Sequence, residues 1–180
     1  MKILVLSCSG NADSRSRRLA HEAMKQLEAI SEVEAELVDL QALPLPFCDA
    51  GAAYGHENVA ALSEKAAAAH GFLIAAPIYN FDVNAICKNV IELTGRQMSD
   101  KVIGFLCTAG GEGSYMSIMP LANSLMLDFR CLIVPRFVYA TGKHFNDANE
   151  LADADLKARI KQLAQATAQL AGAYQPVEKE

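Results

Sequence analysis

Apolar positions along this chain fall into two patterns. Five short runs are nearly continuous: Lys2–Cys8, Ala35–Leu40, Gly71–Ala76, Val102–Thr108 and Cys131–Ala140. Runs of this length predict strands buried on both faces, as in a parallel sheet covered by helices. Between them apolar residues recur at spacings of three and four. Ser14–Ile30 carries Leu19, Ala23, Leu27 and Ile30 in this way, and Asn58–His70 is alanine-rich. Asn84–Thr94 aligns Ile86, Val90 and Leu93, with Gly95 as the predicted stop. Ser114–Phe129 and Asp147–Ala173 repeat the period, the second opening on acidic residues. Strand and helix alternate five times, which predicts a doubly wound α/β domain with a five-stranded parallel sheet. Gln41–Glu57, with two prolines and two glycines, is the longest irregular stretch and reads as a loop. Residues 1–174 are expected to form one domain, with Gln175–Glu180 a frayed polar tail.

Composition narrows the function classes. The chain has 180 residues, 52% of them hydrophobic and 21% charged, with a formal net charge of −5. An acidic balance argues against a nucleic-acid partner, because neutralising phosphates takes clustered Lys and Arg. No apolar run reaches the ~20 residues that span a bilayer, so no membrane association is expected. The N-terminal run is too short for a signal segment and leads directly into polar residues. Five widely spaced cysteines without a CxxC pair suggest neither a disulfide framework nor a zinc site. Together these point to a cytoplasmic protein.

In open α/β sheets ligands bind beyond the carboxyl ends of the strands, where the strand order reverses. Chemistry is therefore expected after the first, third and fourth strands. After the first comes Ser7-Cys8-Ser9-Gly10-Asn11-Ala12-Asp13-Ser14-Arg15-Ser16-Arg17. Free N–H groups and a helix N-terminus make such a turn an anion site, and hydroxyls and an amide add donors. Asp13 or Ser14 would also cap the helix. Neither GxGxxG nor GxxxxGK[ST] is present. After the third strand, Pro77 is expected to stop the ladder, leaving Ile78, Tyr79, Asn80 and Phe81 on a loop. Two aromatics beside an amide suit a flat heteroaromatic ligand, although Phe81 could instead pack back on a helix. After the fourth strand, Thr108-Ala109-Gly110-Gly111-Glu112-Gly113 lets backbone approach a ligand edge. A phosphate cradle, an aromatic slot and a backbone-lined edge together imply a phosphate joined to a flat ring system.

On these residues the chain resembles the NADPH-dependent FMN reductase family. The family's G-S-x-R-x-x-S-x-x-R loop is met by Ser9, Ser14 and Arg17, with Cys8 and Asn11 replacing its glycine and internal arginine. Its P-x-Y-N motif is met by Pro77, Ile78, Tyr79 and Asn80, followed by Lys88 and Asn89, and its Gly-Gly loop by Gly110 and Gly111. The resemblance implies a flavodoxin-like fold with strand order 2-1-3-4-5 and a non-covalent FMN. It places the phosphate on Ser9, Asn11, Ser14 and Ser16, with Arg15 or Arg17 nearby, and the ring against Pro77–Phe81. Thr108, Ala109, Gly110 and Gly111 would meet the pyrimidine edge. It also implies NADPH or NADH as reductant, a quinone, azo, metal-oxyanion or free-flavin acceptor, and a homodimer or homotetramer. Lys88 and Asn89 read as structural.

Two other functions fit parts of the pattern. A flavodoxin-like electron carrier would use the same loops without NAD(P)H activity. Cys8 through Arg15 also resembles the phosphate loop of low-molecular-weight tyrosine phosphatases. Six residues separate the two, one more than that family uses, and no Asp-Pro general acid follows. A small buried residue is the competing role for Cys8.

Overall fold

The computed structural model describes residues 1–174, so the expected tail at 175–180 lies outside the described residues. The strands are β1 (Lys2–Ser7), β2 (Glu34–Asp39), β3 (Gly71–Tyr79), β4 (Asp82–Val83), β5 (Val102–Thr108), β6 (Leu132–Ile133) and β7 (Val138–Ala140). The helices are α1 (Arg15–Glu28), α2 (Glu57–Ala68), α3 (Ala85–Thr94), α4 (Met119–Phe129) and α5 (Ala154–Ala173).

The main sheet is parallel and runs β2-β1-β3-β5, with β6 and β7 both pairing β5 at the far edge. This is the expected order with two changes. The fifth run is split into β6 and β7, because Pro135 lies between them and has no N–H for a ladder. A two-residue strand, β4, also pairs antiparallel to the end of β3. Alternate residues face opposite sides. Leu4 and Leu6 of β1 pack with Leu62 of α2, Val90 of α3 and Leu125 of α4. Ile3 and Val5 pack with Leu19 and Leu27 of α1 and with Ile160 and Leu163 of α5. Both faces of β1, β3 and β5 are thereby dry, which is why those runs are continuously apolar.

Three local expectations are corrected. α3 ends at Thr94 with Gly95 next, as the pattern predicts, but Gly95 makes no left-handed turn. It has φ −57°, opens a 3-10 turn, and a Cβ there would lie 2.5 Å from the Phe129 ring. Its role is close approach to α4. The helix expected from Asp147 begins at Ala154, capped by the Asp153 side chain at Leu156 N. The Asn146 side chain instead accepts from Glu150 N at 2.8 Å and folds the intervening residues into a loop. Likewise, a 3-10 segment, Glu112–Ile118, precedes α4. No helix among the described residues is long and apolar enough to cross a membrane.

Candidate active site

The strand order reverses between β1 and β3, and the loops after β1, β3, β5 and β7 meet at that end of the sheet. They enclose a cavity of about 810 Å³. Of the residues expected there, Asn11, Ser14, Pro77, Ile78, Tyr79, Thr108, Ala109 and Gly110 line it. Asn80, Phe81 and Gly111 line a smaller adjoining cavity of about 360 Å³, which shares Ile78 and Gly110 with the first. Ser9, Ser16 and Arg17 line neither.

The loop after β1 is held by its own chemistry. Ser14 caps α1, its hydroxyl accepting from Arg17 N, and also pairs with the buried Ser16 Oγ at 2.8 Å. Capping and cavity lining thus coexist in one side chain. The Ser9 hydroxyl accepts from Asn11 N. No acidic residue occupies the first turn of α1, so the positive end of its dipole is not offset there. Arg17 corrects an expectation. Its Nε and Nη2 donate to Asp39 of β2 at 2.8 and 3.2 Å, and its Nη1 donates to the carbonyls of Asn11 and Ala12. The guanidinium therefore braces the loop and does not line the cavity. Arg18 pairs with Asp13 at 3.3 Å. Arg15 alone of the cluster lines the cavity and forms no ion pair among the described residues.

Asn84 joins this loop to the next. It is buried, caps α3 at Cys87 N, and donates through Nδ2 to Cys8 O at 2.8 Å. Its own N–H donates to Pro77 O. Pro77 does not stop β3, which runs on to Tyr79. Cys8 N donates to Ala75 O, so residue 77, two further on, also turns its nitrogen toward the β1 side, past the last paired residue of β1. A proline costs no ladder bond there. Tyr79 and Asp82 then close a two-residue hairpin on Asn80 and Phe81, with φ 52° and 62°. Positive φ at both central positions is the signature of a type I′ turn. Asn is tolerated in this region, but a bulky residue is strained by roughly 1–2 kcal/mol. Phe81 does not pack back on a helix: it is 71% exposed.

After β5, Cβ atoms built on Gly110, Gly111 and Gly113 would meet nothing within 4 Å. These glycines leave a bare backbone wall, tethered at Gly111 O and Ser114 Oγ by the Tyr139 hydroxyl. The fourth wall comes from the segment after β7: Gly142, Phe145, Asn146, and Asp147 and Asn149, the last two from the start of the expected helix Asp147–Ala173. Asn149 straps it down, donating to Asp13 Oδ1 at 2.9 Å and accepting from Arg15 Nε at 2.9 Å. The Asn149 bond, then the Arg18 and Arg15 charges, hold the Asp13 carboxyl below its usual range. The strand-end rule applied to the fifth strand would have found this strap, since it follows β7 directly.

Cys8 is fully buried, and the neighbouring Cys87 thiol and desolvation push its own thiol well up. An uncharged thiol shielded from solvent is no phosphatase nucleophile, so the core role holds. Lys88 pairs with Glu92 at 3.0 Å on the surface. Asn89 accepts from Cys48 N and donates to Pro46 O, pinning the long loop after β2 against α3. No residue of Gln41–Glu57 lines either cavity.

A flavin mononucleotide fits this architecture on three observations. The volume lies in the ~300–1,000 Å³ range of small-ligand sites. One end offers a hydroxyl, an amide, the Arg15 cation and a helix N-terminus without a carboxylate in its first turn, the Asp13 carboxylate beside it being engaged by Asn149 and Arg18. The other end is walled by Pro77, Ile78 and the bare glycine edge.

Comparison with known proteins agrees. Residues 1–146 match the family described as NADPH-dependent FMN reductase. A NAD(P)H-dependent FAD/FMN reductase of Geobacillus thermodenitrificans is 31% identical over 135 residues, covering 74% of this chain and 73% of the relative. An NADPH:quinone oxidoreductase of Arabidopsis thaliana is 28% identical over 144 residues, covering 76% and 74%. In fold, the chain superposes on the flavoenzyme NAD(P)H:(acceptor) oxidoreductase FerB from Paracoccus denitrificans with a TM-score of 0.77 at 20% identity, covering 96% of this chain and 98% of that one.

Proposed function

The chain belongs to the NADPH-dependent FMN reductase family of oxidoreductases, and we propose that it binds FMN in the cavity at the strand ends and passes electrons from NADPH or NADH to a small organic acceptor. The observation that carries this reading is the joining, in one cavity, of the α1 N-terminal loop and the glycine edge after β5. FMN, when bound, supplies the chemistry, taking a hydride from the nicotinamide and returning two electrons to an acceptor.

The chain's own residues bind and orient. Ser14, Asn11 and the N–H groups opening α1 take the phosphate, and Arg15 is the cation within reach. Ser9, Ser16 and Arg17 hold that loop in shape from beneath. Pro77, Ile78 and Tyr79 back the ring system, and backbone groups from Thr108 to Gly111 meet its polar edge. Rigid positioning of this kind lets two reactants meet on one ring without an acid–base residue.

Titrating the purified protein with FMN and then NADPH, followed by visible absorption, tests the reading. Bound flavin that bleaches with NADPH and recovers on adding a quinone is expected. Absence of flavin binding would overturn it, and binding without bleaching would favour the electron carrier. We further propose a homodimer or homotetramer. Exposed Met116, Met119, Met126 and Leu127 on and before α4 support association, and light scattering checks it. Five unpaired cysteines, four of them buried, suit the reducing cytoplasm.

A further inference from the structure

A second groove lies at the β7 edge of the sheet, apart from the space proposed for the flavin. Its upper part, of about 340 Å³, is lined by Tyr115, Tyr139, Lys143, His144 and Arg159, with Glu112 as its carboxylate. Its lower part, of about 580 Å³, shares Tyr115 and Arg159 with the first and adds Arg136 and the apolar Val134, Leu163 and Leu170. No residue of either part lines the large cavity or the slot beside it. Two loops nevertheless serve both places. Gly111, Gly113 and Gly142 line the flavin side, and their neighbours Glu112 and Lys143 line the groove. The Tyr139 hydroxyl, which reaches Gly111 O and Ser114 Oγ, stands between the two.

The groove is cationic in a chain of net charge −5. Lys143 holds Glu112 in an ion pair. Arg136 and Arg159 form no ion pair among the described residues, and Arg159 donates to the Phe137 carbonyl at 3.3 Å. Arg136 follows Pro135 in the break between β6 and β7, exposed and with φ 62°. A bulky residue held in that region without burial points to a use for its side chain. Beside the two guanidiniums is a fixed aromatic surface. Tyr115 stacks on Phe137 at 4.7 Å between centroids and meets Tyr139 edge-on at 5.4 Å, yet it remains 41% exposed. An open ring and an apolar wall suit a flat heteroaromatic group. Two unpaired guanidinium forks suit a phosphate dianion, whereas a single carboxylate would leave one fork without charge to meet. We propose that this groove binds a nucleoside phosphate, its base against Tyr115 and its phosphate between Arg136 and Arg159. Two sources carry that chemistry: a free nucleotide, and the adenosine 2′-phosphate end of NADPH.

Calorimetric titration of the FMN-loaded protein with 5′-AMP, 2′,5′-ADP and adenosine tests this. Both phosphates should bind, adenosine at least tenfold more weakly, and their affinity should fall as salt rises. Arg136→Gln and Arg159→Gln should each weaken 5′-AMP roughly tenfold. Lys161→Gln, on α5 but outside the groove, should leave it unchanged. Because both arginines are exposed, their variants should keep the FMN dissociation constant within twofold and the thermal midpoint within about 2 °C. No binding of either phosphate, adenosine binding as tightly as 5′-AMP, or wild-type affinity in both arginine variants overturns the proposal. Steady-state kinetics of Arg159→Gln then separate the sources, and both results uphold the groove. A KM raised for NADPH and unchanged for NADH assigns it to the 2′-phosphate of the reductant, and an unchanged KM for both assigns it to a free nucleotide. Wild-type protein that binds no FMN brings down the functional reading alone. The two arginine variants still report on the groove in that case, since neither residue lines the large cavity.

Discussion

Arg17 reaches under the loop after β1 and bonds two of its carbonyls while Asp39 holds the guanidinium from β2. The loop after β5 is not braced from beneath: Gly110 and Gly113 stand in open space, the Tyr139 hydroxyl tethers Gly111 and Ser114, and Glu112 pairs with Lys143 on the surface. The end of the cavity we propose for the phosphate is thus cross-linked from beneath by side chains, and the end we propose for the ring faces the cavity as bare backbone. The difference suits the proposed ligand. A phosphate needs donors fixed in direction, which preorganised hydrogen bonds supply. A flat ring with a second molecule stacking on it needs clearance, which missing side chains supply. Variants at the two ends should therefore fail in different ways.

The largest effect is expected at the braced end. Arg17→Met strands the partly buried Asp39 carboxylate and frees the carbonyls of Asn11 and Ala12. Denaturant unfolding should show a loss of about 2–3 kcal/mol, and a flavin titration a roughly hundredfold weaker FMN. Gly110→Ala is the counterpart at the open end. Its Cβ meets nothing in the free protein, so stability should stay level or gain up to about 1 kcal/mol. FMN affinity should fall about tenfold, because the methyl occupies the ring edge. Equal stability losses in both variants would erase the distinction.

Much of this site was legible because its parts are local. A polar turn at a strand end, a proline–aromatic hairpin and a glycine cluster each declare themselves within ten residues. Arg17 was legible as a basic residue at the loop but not in its direction. A cation in the first turn of α1 could reach forward to a ligand or back under the loop, and Asp39, 22 residues away on β2, decides. Helical periodicity concealed the end of the strap at 142–149, because the pattern runs the last helix back to Asp147. Leu151 fits the apolar spacing of α5, yet it forms an antiparallel bridge to Phe145, and the Asn146 side chain takes Glu150 N. The break in the fifth strand did have a signal, Pro135 within an apolar run, that the run's overall hydrophobicity outweighed.

The strap joins the braced end to the rest of the cavity, and a smaller effect tests how far the bracing extends. Asn149 has φ 56°, so Asn149→Gly keeps the backbone while removing the amide that bridges Asp13 and Arg15. FMN affinity should drop about threefold to fivefold, with faster hydrogen exchange across 142–149 and little change in the unfolding midpoint. Unaltered exchange would place the strap's order in the Phe145–Leu151 bridge instead.

The smallest effect lies at the opposite edge of the sheet and serves as the control. Glu36 on β2 accepts from Lys2 and Lys65, and those bonds, Lys2 first, hold its carboxyl below the usual range. A depressed folded pKa means the unfolded chain binds the proton more readily. The contribution is therefore complete above the unfolded carboxyl value of ~4.3 and is lost as pH falls through the lower folded value. Partly exposed pairs are worth ~0–1 kcal/mol, so the acid slope attributable to Glu36 should be slight and should vanish in Glu36→Gln. Because these charges sit at the amino ends of β1 and β2, the variant should leave the FMN dissociation constant at neutral pH unchanged. A shift in that constant would mean the two edges of the sheet are coupled through β1, and that the bracing by Arg17 does not isolate the phosphate loop from the strands beneath it.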